Sequence, residues 1–235
     1  MPLRIEPVRD RKLHRLVKSA IRRAVRNGEA IFRLGDPGGQ VFVVRRGHVR
    51  LQLAGTDGVD RTVAVAGPSE LFGEEGMIHG ALRPFNALAG APGSVLPLEG
   101  ATVRGVFSCA PRSTPSRPTL EAKEWELRLL RSAAGDSLGP SARQRLAAVL
   151  LDLFERLGEP EGERVRLPHW FTHRELADLA GAHRSTVTTC LNDWIWRGVV
   201  ATRGRMLLAA RSGLATLREE GLGHAVSIDP TLRQD

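Results

Sequence analysis

The stretch from Phe171 to Arg205, FTHRELADLAGAHRSTVTTCLNDWIWRGVVATRGR, constrains this chain more than any other. Thr172 precedes Glu175 by three residues, the spacing at which hydroxyl and carboxylate each satisfy an orphan amide at a helix start. Leu176, Ala177, Leu179 and Ala180 give the helix that follows a narrow apolar face, and Gly181 stands where a left-handed residue would end it. A second helix resumes at His183 and Arg184. Val187, Leu191, Trp194 and Ile195 are expected on its buried side, and Arg184, Ser185, Thr188 and Thr189 on the other. Short hydroxyls and a guanidinium near a helix N-terminus suit contact with base edges and phosphates. After Gly198, the runs Val199 to Ala201 and Met206 to Leu208 read as two short strands. They are joined by a turn carrying Arg203 and Arg205, a wing able to touch a phosphate backbone. Two packed helices around a glycine turn are common in themselves, so the order of the residues matters as much as the pattern.

That order resembles the DNA-binding signature of the CRP/FNR superfamily of bacterial transcription regulators, on ELADLAGAHRSTVTTCLNDWIWRGVV. The resemblance implies double-stranded DNA as partner, RNA polymerase as a second partner, and a homodimer on a pseudo-palindromic site. It places Thr172, His183, Arg184, Ser185, Thr186, Thr188, Thr189, Arg203 and Arg205 at the DNA. Of these, Arg184, Ser185 and Thr189 fall at the base-reading positions.

The formal charge of +8 suits a nucleic-acid partner, but its distribution says more. Residues 1–30 hold nine Lys/Arg against three acids, and residues 163–206 hold seven against four. Much of the excess therefore lies outside the reading head. Leu13, Leu16, Val17 and Ile21 among these leading bases suggest an amphipathic helix. Its basic face is either simply solvated or in contact with polymerase or flanking DNA. No run approaches the ~18 apolar residues of a spanning helix and no apolar signal core opens the chain, so a cytoplasmic protein is expected. Cys109 and Cys190 have no CxxC spacing and the histidines no HExxH spacing, so no metal and no catalytic constellation is expected. Cys190 reads as a small buried thiol, and His79, His169, His173 and His183 as solvent-facing or locally satisfied.

From Gly28 to Leu98 short β-rich runs alternate with glycine. Val41 to Val44 and His48 to Leu53 are parted by Arg46-Gly47, and Thr56-Asp57-Gly58 turns into Thr62 to Ala66. Strands at this spacing make a small barrel or jelly roll. GDPGGQVFVVRRGHVRL and LFGEEG resemble the cyclic-nucleotide-binding β-roll. By that resemblance Gly73, Glu74, Arg83 and the residue after it line the effector pocket. That next residue is Pro84, which offers neither hydroxyl nor backbone N–H. Losing two donors to a buried phosphate costs several kcal/mol at ~1.5 to 3 per charge-assisted bond, so cyclic AMP is disfavoured and no cofactor is expected.

Residues 90–118 are rich in Pro, Gly and Ser and show no sustained helical period, so the roll is expected to end there. From Thr119 strong helix formers set Leu120, Leu127, Leu130, Ala134 and Leu138 near one face. The resemblance makes this stripe a seam with a second subunit, although packing on its own roll is the alternative. Gly139-Pro140 ends that helix. Ser141 can cap the next, whose core face is Leu146, Val149, Leu150, Leu153, Phe154 and Leu157, and Glu159 to Arg166 reads as a polar connector.

The expected class is therefore α+β: a β-roll over residues 1–118, a long dimerisation helix over 119–139, and a winged helix-turn-helix over 140–235. The function expected is a sequence-specific transcription regulator, an activator whose roll is either vestigial, so that it works without an effector, or differently liganded. The alternative is a cyclic-nucleotide- or haem-responsive sensor whose DNA binding depends on its ligand or is secondary. No sequence feature supports an enzyme.

Overall fold

The computed structural model describes residues 11–55, 58–74, 81–108, 140–167, 171–204 and 206–222. They fall into two compact units, one within 11–108 and the other within 140–222. The proposed seam residues Leu120, Leu127, Leu130, Ala134 and Leu138 lie outside the described residues, as do His79, Cys109, His169 and Arg205.

The first unit opens with α1 (Arg11–Ser19), followed by β1 (Arg23–Val25), β2 (Ala30–Phe32), β3 (Gln40–Arg46), β4 (Val49–Ala54), β5 (Asp60–Ala66), β6 (Leu71–Phe72), β7 (Asn86–Ala89), β8 (Gly93–Glu99) and α2 (Gly100–Ser108). The strands form two antiparallel four-stranded sheets, ordered β1-β8-β3-β6 and β2-β7-β4-β5. Residues of both sheets bury Phe32, Phe42, Val44, Val49, Phe72 and Val95, together with Phe85 just before β7, in one core, the β-roll expected from the alternating runs. A smaller core on the outer face of the first sheet is closed by Val103 of α2 and by Leu16, Val17 and Ala20. The leading helix is thus amphipathic as expected, but Ile21 lies beyond its end and is 86% exposed. The hairpin turn between β3 and β4 needs its glycine: Gly47 has φ +82°, and a Cβ there would meet the backbone of Pro92 and Gly93 at 3.3 Å.

The expectation needs correction over residues 93–108. Gly93–Glu99 is a full strand between β1 and β3, and Gly100–Ser108 is helical. Pro97 obscured the strand, yet it costs little there. Residue 97 is paired with Phe42 of β3, whereas β1 pairs with β8 only at residues 93–95, so no ladder donor is needed on that side.

The second unit contains α3 (Ala142–Leu157), β9 (Glu159–Glu161), β10 (Arg164–Arg166), α4 (His173–Ala180), α5 (Arg184–Trp196), β11 (Val200–Arg203), β12 (Met206–Ala210) and α6 (Arg211–Leu222). Ser141 caps α3 in a full capping box with Gln144, and all six expected core residues of that helix are buried. The polar connector proves to be a hairpin, with Gly162 at φ +61° in its turn, and β10 lies between β9 and β12 in a four-stranded wing sheet, β11-β12-β10-β9. Its charged residues conceal the strand period, because they pair with one another instead of entering a core. The closing helix α6, which the sequence reading did not assign, buries Leu217. It approaches α3 so closely that a Cβ on Gly221 would meet the backbone N of Ala148 at 3.0 Å.

Candidate nucleic-acid interface

The helix-turn-helix is built by the chemistry read from its sequence. Thr172 Oγ1 accepts from Glu175 N–H at 3.1 Å while Glu175 Oε2 accepts from Thr172 N–H at 2.8 Å. Gly181 takes φ +57°, its N–H donates to Asp178 C=O at 3.1 Å, and Ala182 N–H reaches Ala177 C=O at 2.9 Å, a Schellman closure. One arginine outside the motif fixes this turn. Arg145 of α3 donates from Nε to Ala180 C=O and from Nη2 to Gly181 C=O, each at 2.7 Å, so cationic donors satisfy the end of α4. Nothing in the spacing of α3 singled Arg145 out, since its partners lie 35 and 36 residues away.

The second helix, α5, buries Val187, Cys190, Leu191 and Trp194. Ile195, expected beside Trp194, is instead 38% exposed and Trp196 is 87% exposed, so the buried stripe is narrower than its apolar content suggested. Burial pushes the Cys190 thiol pKa up, which keeps it protonated and inert. His183 is the N-cap without a side-chain capping bond, and it is exposed together with Arg184, Ser185 and Thr189. Thr186 is half-buried. Thr188 is also half-buried and is turned to its neighbour: its hydroxyl donates to Arg184 C=O at 3.1 Å and lies 2.9 Å from His173 Nδ1 on α4. Donation to the carbonyl leaves the Thr188 oxygen to accept from an Nδ1–H, so this histidine is locally satisfied. The Thr189 hydroxyl donates to Ser185 C=O at 3.1 Å and keeps only acceptor capacity outward.

The far end of α5 is held by ion pairs. Arg143 of α3 donates to Glu220 Oε2 at 2.7 Å and to Asp193 Oδ2 at 2.5 Å, with its guanidinium 4.9 Å from the Trp194 ring centroid. Trp194 Nε1–H donates to the same Glu220 oxygen at 3.0 Å, and Arg197 reaches Glu220 Oε1 at 2.9 Å. Hydrogen bonding to Glu220 pushes Arg143 further toward its charged form. The bond from Arg143 holds the Asp193 carboxyl below its usual range. For Glu220, burial acts upward, yet the bonds from Arg143, Trp194 and Arg197 together hold it low.

On the wing, Gly204 turns at φ +60° between β11 and β12. Arg203 extends from β11 and is paired with Glu161 of β9, whose carboxylate also lies 3.3 Å from Arg166. Arg166 in turn bonds Glu159 at 2.6 Å. The arginine expected at phosphate therefore has a competing carboxylate within the protein.

In the roll, Gly73 has φ +77°, Glu74 is half-buried, and Arg83 is 3% exposed. Arg83 Nη1 donates to Gly73 C=O at 3.0 Å and Nη2 to Gln40 C=O at 2.5 Å, and the guanidinium lies 4.2 Å from the Phe32 ring centroid. A Cβ on Gly73 would meet Arg83 Nη1 at 3.0 Å, so the glycine admits the chain's own guanidinium. Phe32, Phe42, Phe72 and Phe85 form a ring cluster beneath, with centroids 5.4 to 6.1 Å apart. Pro84 lies half-buried between Arg83 and Phe85.

These two units match two known families: the cyclic nucleotide-binding domain over residues 22–108 and the Crp-like helix-turn-helix domain over residues 144–217. The chain is 33% identical over 184 residues to the cyclic AMP receptor protein of Thermus thermophilus, covering 76% of this chain and 79% of that one. It belongs to the CRP/FNR family of transcriptional regulators. It is also 28% identical over 185 residues to a CRP-like cAMP-activated global transcriptional regulator of Mycobacterium tuberculosis, covering 79% of this chain and 82% of that one. A solved CRP/FNR-family regulator from Thermus thermophilus superposes with a TM-score of 0.62 at 25% identity, over 86% of this chain and 99% of its own. The family is one of transcription regulators, not enzymes, and this member carries its DNA-binding head at residues 144–217. Among the described residues no helix is long and apolar enough to cross a membrane.

Proposed function

We propose that this CRP/FNR-family regulator acts in the cytoplasm as a homodimeric activator on a pseudo-palindromic DNA site, contacts RNA polymerase there, and does so without cyclic AMP. The observation that carries the DNA reading is the exposed N-terminal turn of α5. His183, Arg184, Ser185 and Thr189 are exposed, while Val187, Cys190, Leu191 and Trp194 of the same helix are buried. Arg184 supplies the bidentate fork for guanine O6 and N7. Ser185 is neutral and Thr189 short, so the half-site should hold one strongly specified guanine and be permissive beside it. Two-fold pairing through Leu120, Leu127, Leu130, Ala134 and Leu138 follows from the family resemblance. Leu127→Glu should give monomers by sedimentation and lose binding that needs two half-sites.

Independence from cyclic AMP is supported by the donor set in the roll. Arg83 gives two of its donors to backbone carbonyls, and Pro84 has no N–H to offer a phosphate. The second reading, a cyclic-nucleotide-responsive sensor, is favoured by the match to the cyclic nucleotide-binding domain. Selection from random DNA, with and without cyclic AMP, separates the two. One motif recovered in both conditions, with preference at one G·C pair lost in Arg184→Ala, supports the proposal. A motif recovered only with cyclic AMP, or an Arg184→Ala protein of unchanged preference, refutes it.

A further inference from the structure

Between Ser185 and Trp196 the most outward row of α5 is Ser185, Thr189, Asn192 and Trp196, which fall within about 60° of arc at 3.6 residues per turn. The buried residues Val187, Cys190, Leu191 and Trp194 are centred on the opposite side of the helix. Arg184 and Thr188 lie on a flank, and Thr188 is taken up by His173. Along the row Thr189 has already given its proton to Ser185 C=O. Asn192 is exposed, and its carboxamide has no hydrogen-bond partner among the described residues, so it presents a donor and an acceptor side by side. The row continues one turn further to Trp196, whose indole is 87% exposed.

We infer that Asn192 is a further base-specificity residue, reading adenine through its N6 and N7 in the major groove, beyond the span of Arg184, Ser185 and Thr189. This rests on the reading of α5 as the recognition helix. Seven residues separate Asn192 from Ser185, about 10 Å of helix axis or roughly three base-pair steps. The A·T pair it reads is therefore distinct from the guanine read by Arg184, and the specified half-site is longer than the three family positions imply. Asparagine is the side chain whose fork matches the major-groove edge of adenine, as arginine matches guanine.

The test is selection from random DNA with the full chain in three forms: wild type, Arg184→Ala and Asn192→Ala. Both positions are exposed and alanine favours a helix, so circular dichroism should show all three folded. The expected result is that Asn192→Ala loses preference for A·T at one half-site position by about 5- to 150-fold, while the guanine preference governed by Arg184 is retained. Asn192→Gln, whose amide can also pair with adenine, should retain part of that preference. A motif from Asn192→Ala identical to that of wild type, or a uniform loss over all sequences, overturns the inference and leaves the recognition helix standing. A wild-type protein that selects no motif overturns both.

Discussion

The two units handle their arginines in opposite ways. In the roll, Arg83 is turned inward over Phe32 and Phe42 and bonded to the carbonyls of Gly73 and Gln40. In the winged unit Arg143 and Arg145 are also tied to protein partners, but what they fix is the far end of α5 and the turn before it. Between these two fixed ends, Arg184, Ser185 and Asn192 are exposed on α5. Arg83 faces into its own unit, whereas Arg143 and Arg145 brace an exposed helix face. A family match alone treats both units as functional sites; we propose that they differ, on the direction in which these donors point.

The largest effect that can break this comparison is expected at Arg83. Truncation to Ala removes a buried side chain and strands two carbonyls. It should cost about 2 to 4 kcal/mol, read as faster hydrogen exchange at β3 and β7 amides. Arg83→Met refills most of the volume and should recover a large part of that loss. Unchanged exchange in Arg83→Ala would mean that the guanidinium is not needed by the roll and is free to serve a ligand.

The bracing side is tested next by Glu220→Gln. Because the Glu220 carboxyl is held low in the folded state, its contribution is present above the ordinary glutamate range. It is lost as pH falls through the folded value. The variant should lose about 1 to 2 kcal/mol at pH 7, allowing for the partial exposure of the group, and the gap from wild type should shrink below about pH 4. Urea unfolding followed by tryptophan fluorescence at both pH values measures it. A gap that stays constant with pH would mean that the charge of Glu220 contributes nothing.

A third and smaller effect is expected from Thr172→Ala, which removes half of the capping box. It should cost about 1 kcal/mol in urea unfolding, and Thr172→Ser should restore it. A neutral Thr172→Ala would assign the start of α4 to packing alone.

What could be read from the sequence follows the same division. Local chemistry was legible: the Thr172 box, the Gly181 turn, the strands around Gly47 and the buried face of α3 all depend on residues a few positions apart. Long-range partnerships were not. Arg145, Arg143 with Glu220, and Arg203 with Glu161 act across 35 or more residues, where charge alone does not identify a partner. The hairpin of β9 and β10 was concealed by its charged residues, β8 by Pro97, and the exposure of Ile195 by its apolar type. The proposed role of Asn192 has a trace in the sequence, its spacing of seven from Ser185, but it lies beyond the positions that the family resemblance marks, Arg184, Ser185 and Thr189.

The smallest expected effect concerns the wing, where the open surface is itself partly closed. Arg203 is paired with Glu161, and phosphate must displace that carboxylate. Both groups are exposed enough that the pair is worth no more than about 1 kcal/mol, so the competition is weak and salt-sensitive. Arg203→Ala should weaken binding to every sequence alike and reduce the salt slope by about 0.9 per subunit. Glu161→Gln should act in the other direction, strengthening binding up to about fivefold at low salt, while Arg166 keeps Glu159 as its partner. Removing any negative charge near DNA also helps binding, so the single variant is not decisive. The double variant is. If Glu161 acts by holding Arg203, Glu161→Gln gives little gain once Arg203 is Ala, and the two changes are non-additive in fluorescence anisotropy titrations on one DNA duplex. If the gain persists without Arg203, the carboxylate acts through its field alone and the wing arginine is as open to phosphate as Arg184 is to bases.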